Sequence, residues 1–236
     1  MHTEDLEVGY LARPARGTHP GVLMLHDVWG LSEHTRDLAR RLAAEGFSVL
    51  ALDLYRREPV EISDPGSHMR GLSDPQVLAD VQAGVEVLAE RPETEGRRTG
   101  VVGFCMGGMY ALMAACSCRG VAAAVPFYGL LSHEHGILFD ESGLDPAKKP
   151  RAPLDYVPEL RCPLLACFGD QDEFIPLPDV RALEARLGAT ARDTQVVVYE
   201  GAGHAFMNDT RPDAFHPEAA ADAWRRATRF LASNLR

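Results

Sequence analysis

Gly103-Phe104-Cys105-Met106-Gly107-Gly108 decides how the rest of this chain is read. It lies between the apolar run Val101-Val102 and a helix-forming segment, Met109 to Cys116, so a strand, a sharp turn and a helix are predicted in succession. In that context Gly-Phe-Cys-Met-Gly reads as a nucleophile elbow, G-x-S-x-G, with cysteine in the serine position. A turn this tight pushes the central side chain out at the strand end, and a larger residue two positions to either side would strike neighbouring backbone. Cys105 is then expected to face a cleft with a helix N-terminus aimed at it. The partial positive charge there favours a thiolate and leaves N–H groups for an anion. Without this setting the pattern would say little, because a buried cysteine is usually a small core hydrophobe.

Working outward, short apolar runs alternate with amphipathic segments. Gly21 to Leu25, Phe47 to Leu52, Thr99 to Phe104, Val121 to Tyr128, Leu164 to Gly169 and Gln195 to Tyr199 read as strands, mostly of the kind covered on both faces. Leu6 to Ala12 is predicted as an edge strand. Helices are predicted from Ser32 to about Glu45, ended by Gly46; from an Asp74-Pro75 start to about Glu90; from about Asp179 to Leu187; and from Pro217 to Asn234. Arg56 to Leu72 reads as a polar connection. Residues 130–160 show no sustained period of 2 or 3.6, and a connection of that length is expected to serve as a lid or contact loop. The alternation predicts an α/β fold with a mostly parallel central sheet flanked by helices on both faces. No composition break or internal repeat divides the 236 residues, so a single domain spanning 1–236 is expected.

Bulk properties narrow the function. A formal charge of −10 lacks the basic footprint that nucleic acid or an anionic membrane surface requires, so neither partner is expected. Five cysteines, with no C-x-x-C pair, argue against a disulfide framework or a zinc site and for a reducing compartment. The acidic start, Met1-His2-Thr3-Glu4-Asp5, has no signal-like apolar core, and no apolar stretch is long enough to span a bilayer, so a cytoplasmic location is expected. His133 and His135 are spaced like metal ligands but have no evident third partner, and neither a metal nor another cofactor is expected.

A nucleophile needs a base, and the base needs a group to hold its tautomer. Two stretches beyond predicted strands supply them: Gly169-Asp170-Gln171-Asp172-Glu173-Phe174-Ile175-Pro176 and Glu200-Gly201-Ala202-Gly203-His204-Ala205-Phe206. Parallel strands bring their C-terminal ends to one edge of the sheet, so these loops can converge on Cys105. The order Cys105, Asp172, His204 is the nucleophile, acid, histidine order of α/β-hydrolases. Asp170 and Glu173 remain alternatives for orienting the imidazole.

With these residues in place the chain resembles the dienelactone hydrolases, over nearly its whole length. The resemblance rests on Leu25-His26-Asp27-Val28-Trp29-Gly30-Leu31, Asp53-Leu54-Tyr55, the Gly-Phe-Cys-Met-Gly-Gly elbow, Gly169-Asp170-Gln171-Asp172 and Gly203-His204-Ala205-Phe206. It implies a Cys105, Asp172, His204 triad in an α/β-hydrolase fold, with an oxyanion hole built from the N–H groups of Val28 and Met106. It also implies that Asp27, where the family usually has Glu, holds the resting thiol. Trp29, Tyr55, Tyr128 and Phe206 are expected to line the substrate cleft.

One departure concerns substrate. The family binds a substrate carboxylate with arginines in the helix before the elbow strand and shortly after the histidine. The matching stretches here, Gln82-Ala83-Gly84-Val85-Glu86 and His204-Ala205-Phe206-Met207-Asn208, contain none. A buried carboxylate without a cation commonly costs several kcal/mol, so an altered substrate preference is expected unless Arg70 or Arg211 replaces them. The expected activity is hydrolysis of a small ester or lactone through a thioester. The competing reading is a hydrolase-fold module that binds without turnover, or that uses Cys105 as an oxidisable thiol. Whether the chain acts as a monomer or homodimer is open.

Overall fold

The computed structural model describes residues 1–57 and 60–236, so Glu58 and Pro59 of the expected 56–72 connection lie outside the described residues. A single sheet runs through the molecule, built from strands β1 (His2–Leu6), β2 (Gly9–Arg13), β3 (Gly21–Leu25), β4 (Ser48–Leu52), β5 (Thr99–Phe104), β6 (Val121–Phe127), β7 (Leu164–Gly169) and β8 (Thr194–Tyr199). Their order is β1-β2-β4-β3-β5-β6-β7-β8. β3 to β8 pair in parallel, while β2 is antiparallel to both β1 and β4. The expected edge strand from Leu6 to Ala12 is therefore a hairpin. β1 was missed because His2 to Asp5 are exposed and polar, with no apolar alternation to mark them.

Helices α1 (Glu33–Ala44), α2 (Pro65–Gly71), α3 (Asp74–Ala89), α4 (Met106–Ser117), α5 (Pro153–Tyr156), α6 (Leu177–Gly188) and α7 (Pro217–Leu235) connect and cover the strands. Gly100 aligns with Val22, and a Cβ at Gly100 would meet Leu231 and Leu235 of α7. Leu23, on the opposite pleat, meets Gly84 of α3. α3 and α7 therefore cover opposite faces, which is why β3 and β5 are buried at every position rather than every second one. α4 is buried from Met106 through Cys116, as its unbroken apolar composition requires.

Two local readings are corrected. α3 is capped by Ser73, whose hydroxyl accepts from the Gln76 N–H, and Asp74 is its first helical residue. The 56–72 connection contains α2, a short helix capped by Asp64 and started by Pro65.

Residues 130–160 carry only short helical turns, and an interior ion pair ties them down. Lys149 Nζ, with its side chain fully buried, lies 2.5 Å from Asp74 Oδ1, which also accepts from the Tyr110 hydroxyl at 2.8 Å. The Asp74 N–H donates to Lys148 O at 2.8 Å, so the same helix start binds the loop twice. Burial holds the Lys149 pKa below the usual lysine range, an effect that Asp74 offsets only in part. Removing one member of such a pair strands a charge in the interior. Lys149→Met is expected to lower unfolding free energy by about 3–5 kcal/mol, and the Lys149→Met/Asp74→Asn double variant to recover most of it. Urea unfolding of the three proteins checks this.

Candidate active site

β3, β5, β7 and β8 end at the same edge of the sheet, and the loops leaving them hold the residues singled out above. The elbow after β5 is possible because Gly103 and Gly107 lack side chains. A Cβ on Gly103 would lie 1.9 Å from Gly107 O, and one on Gly107 would lie 2.2 Å from Leu25 O. Cys105 between them takes φ 55°, a left-handed conformation that costs a non-glycine residue about 1–3 kcal/mol. Its N–H donates to Phe127 O and its carbonyl accepts from Met109 N–H, which pins the strained residue on both sides.

Cys105 and His204 face the same cavity, of about 240 Å³. His204 Nδ1 is 2.8 Å from Asp172 Oδ2, while Asp172 Oδ1 accepts from the N–H groups of Phe174 and Ile175 at 2.9 and 3.2 Å. Asp172 is thus the carboxylate bonded to the imidazole. Asp170 is occupied with the Gly201 N–H at 2.8 Å, and Glu173 is exposed. Tyr128 and Phe174 pack edge-on against the His204 ring, with centroids at 5.2 and 5.0 Å. Burial pushes the His204 pKa down, but the charge on Cys105 and hydrogen bonds to Asp172 and Cys105 more than reverse it, raising it to about 10. The Asp172 carboxylate, and an ionised Cys105 beside the ring, both favour the protonated imidazole.

The other four cysteines are buried. Burial pushes Cys116, Cys162 and Cys167 up to about 12 and Cys118 up to about 11, so none of these is a thiolate near neutral pH. Cys105 is the partly exposed one.

The turn after β3 closes the site from the other side. Asp27 Oδ1 accepts from Trp29 N–H at 2.9 Å and Asp27 O accepts from Gly30 N–H at 3.3 Å, which leaves the Val28 N–H outside the turn's own hydrogen bonds. Met106 opens α4, so its N–H has no partner within the helix. Asp27 lines the cavity, yet its carboxylate is committed to capping this turn, and the hydrogen bond to the thiol expected of it is not among those of the described residues. An aspartate side chain is one carbon shorter than the family's glutamate and bonds readily to the backbone two residues on.

Trp29 and Tyr128 line the cavity, but Tyr55 and Phe206 do not. Tyr55 lies behind the turn, its hydroxyl donating to Val28 O at 2.9 Å with Met106 Sδ 3.4 Å away. Phe206 is fully buried against Tyr128 and Tyr199, because the preceding Ala205 takes φ 61° and turns the chain inward. Sequence reasoning missed much of the apolar wall: Pro65 and Met69 from α2, Leu38 from α1, and Leu130 and Ile137 from the long connection. Only Phe174, two residues after the acid, carried a readable signal. Arg211 also lines the cavity, whereas Arg70 is bound to Ile137 O and Asp140 and does not. His133 and His135 do not belong to the site; His135 lies 3.4 Å from Asp179. Among the described residues no three His, Cys, Asp or Glu side chains gather as metal ligands, and no helix is long and apolar enough to cross a membrane.

Comparison with known proteins places the whole chain in one family. A Salmonella typhimurium protein provisionally named a carboxymethylenebutenolidase is 35% identical over 94% of this chain and 81% of its own length. A Bradyrhizobium protein provisionally named a 2-oxo-3-(5-oxofuran-2-ylidene)propanoate lactonase is 34% identical over 98% of this chain and 91% of its own. The crystal structure of a provisionally named dienelactone hydrolase from Klebsiella pneumoniae superposes with a TM-score of 0.82 at 32% identity, covering 94% of this chain and 91% of the other. Residues 8–235 match the dienelactone hydrolase family, and with these relatives the match shows that the chain belongs to that family.

Proposed function

We propose that this protein hydrolyses carboxylic esters or lactones through Cys105, His204 and Asp172, by way of a thioester. The observation that carries the reading is the Asp172–His204 hydrogen bond at 2.8 Å on the wall of the cavity that Cys105 faces. The Cys105 thiolate attacks the substrate carbonyl, and the resulting oxyanion accepts hydrogen bonds from the N–H groups of Val28 and Met106. As the carbon–oxygen bond breaks, the His204 imidazolium gives its proton to the departing alkoxide, leaving an acyl thioester. Neutral His204 then takes a proton from water, whose hydroxide attacks the thioester. Collapse of the second tetrahedral intermediate expels the Cys105 thiolate beside a reprotonated His204, and the acid product loses its proton to solvent. Asp172, held by two backbone N–H groups, keeps Nδ1 of the imidazole protonated and Nε2 directed at the reaction. A module that merely binds ligand has no use for this oriented base.

The cavity wall is largely apolar, with Arg211 contributing a cation that is half exposed and paired with Asp213 at 3.2 Å. Arg211 supplies the positive charge missing from the two positions where the family carries arginine. The proposed substrates are small lactones bearing a carboxyl group, a class that the names of the relatives also denote. The rearranged cation and the wall from residues 130–160 give this chain its own preference within that class.

In assays with p-nitrophenyl acetate, Cys105→Ala and His204→Ala are each expected to lose at least about 10³-fold in kcat/KM, and acyl adduct on Cys105 should be seen by mass spectrometry. Turnover surviving both substitutions would remove the proposal. Arg211→Met should lower kcat/KM for an acidic lactone about 10-fold more than for p-nitrophenyl acetate, the loss of one charge-assisted hydrogen bond. An equal effect on both substrates would show that Arg211 does not contact the carboxylate.

The His204 pKa, raised to about 10 in the folded protein from 6.5, also sets a stability trend. Protonation of His204 favours the folded state fully below pH 6.5, and this contribution is lost as pH rises through about 10. Urea unfolding of wild type and His204→Gln should therefore show the wild-type stability falling relative to the variant between pH 7 and 10.

A further inference from the structure

Two side chains outside the triad hold the turn that carries the Val28 N–H. His26 is fully buried at the end of β3. Its Nε2 accepts from the Leu54 N–H at 3.1 Å, which leaves Nδ1 as the protonated nitrogen, and Nδ1 donates to Asp27 O at 2.6 Å. Burial pushes its pKa down, in keeping with a neutral ring. No peptide bond in the described residues is cis, so the Asp27 C=O and the Val28 N–H point in opposite directions across one planar unit. Fixing Asp27 O on His26 therefore fixes where the Val28 N–H points. The next peptide is fixed as well: Tyr55 donates to Val28 O at 2.9 Å while Asp27 Oδ1 holds the Trp29 N–H. Tyr55 in turn stacks obliquely on His26 at 5.0 Å and edge-on to His68 at 5.1 Å, and its N–H is held by Asp53 Oδ1. Its oxygen also touches Met106 Sδ, so one phenol contacts both residues whose N–H groups are assigned to the oxyanion.

We infer that His26 and Tyr55 are positioning residues, a two-point clamp that aims the Val28 N–H at the oxyanion. The inference rests on the oxyanion hole proposed above and extends it to the groups that hold it open. Neither side chain lines the cavity, so neither is placed to bind substrate. Their effect acts through two consecutive peptide planes: without them Asp27 O keeps only the Gly30 N–H at 3.3 Å, the Asp27–Val28 plane can rotate, and the site would then present a carbonyl oxygen to a developing negative charge. Preorganised donors are effective because they need no such reorganisation during the reaction.

The test compares ester turnover with alkylation of Cys105 by iodoacetamide. Alkylation attacks a saturated carbon and builds no oxyanion, so it reports the thiolate and its access but not the donor. The four buried cysteines do not compete. Loss of an oxyanion donor costs about 10²–10³ in kcat, and on that scale His26→Ala is expected to lose about 10²-fold and Tyr55→Phe about 10-fold, with KM within about twofold. In both, Cys105 alkylation should stay within about twofold of wild type. His26→Asn places an amide N–H near the former Nδ1 and is expected to recover at least about 10-fold over His26→Ala. Alkylation that falls in step with turnover, a His26→Asn variant no better than His26→Ala, or full kcat in Tyr55→Phe would each overturn the clamp. Tyr55→Phe keeps the ring and its packing, so it decides the matter if His26→Ala does not fold. A Cys105→Ala variant that still turns over ester would instead remove the underlying reading of the site. With Cys105→Ala inactive, unimpaired clamp variants would sink the clamp alone.

Discussion

The contact between the first turn of α4 and the end of β3 is the constraint from which the rest of the site follows. Backbone meets backbone there: a single carbon added at Gly107 would lie 2.2 Å from Leu25 O and 2.5 Å from His26 O. Because the helix can approach so closely, the Met106 N–H starts beside the 26–30 turn rather than a side chain's width away. A glycine in a helix is destabilising by roughly 0.5–1 kcal/mol relative to alanine, and a residue at φ 55° adds its own strain. Both costs are offset by α4 itself, which is buried from Met106 to Cys116 between the sheet and its neighbours. The most thoroughly buried helix among the described residues thus follows directly on a strained residue.

Two buried ion pairs have different tasks. Asp172 and His204 meet at the open edge of the sheet, where the imidazole borders a cavity. Asp74 and Lys149 meet in the interior under the long connection, where neither has any outlet. The first pair is surrounded by aromatic rings at 5.0 and 5.2 Å that limit how far the imidazole can swing. The second is braced by the Tyr110 hydroxyl on Asp74 Oδ1, and Asp74 Oδ2 has no hydrogen-bond partner among the described residues. Of the two, only the Asp172–His204 pair, to which we assign the chemistry, faces open space.

The sheet was legible from the sequence because a strand covered on both faces has to be apolar throughout, and Val22 to Leu25, Val49 to Leu52 and Leu164 to Phe168 are. Convergence of the Asp172 and His204 loops followed from parallel pairing. What escaped the reading depended on the direction of single side chains. Phe206 turns inward because of the φ at Ala205, and nothing in Gly-His-Ala-Phe announces that angle. Tyr55 points at a carbonyl instead of the cavity, and its own N–H is pinned by Asp53, contacts that any strand-end Asp-Leu-Tyr could make or forgo. His26 was visible within a motif, but its role needs Leu54, 28 residues away, to fix the tautomer. α2 was hidden by Pro65 and Gly66, residues that favour turns as readily as a short capped helix.

The long connection is held firmly at its two ends and scarcely between them. Leu130, Leu131 and Leu138 are buried on one side and Lys149 on the other, whereas residues 145–148 are exposed and Gly143 has open space around it. Lengthening a loop costs little once its ends are fixed, since closure entropy grows only with the logarithm of length. The tip around Gly143 is therefore a natural graft point, where an affinity tag or a tethering peptide could be spliced in while the cavity wall formed by Leu130 and Ile137 keeps its shape.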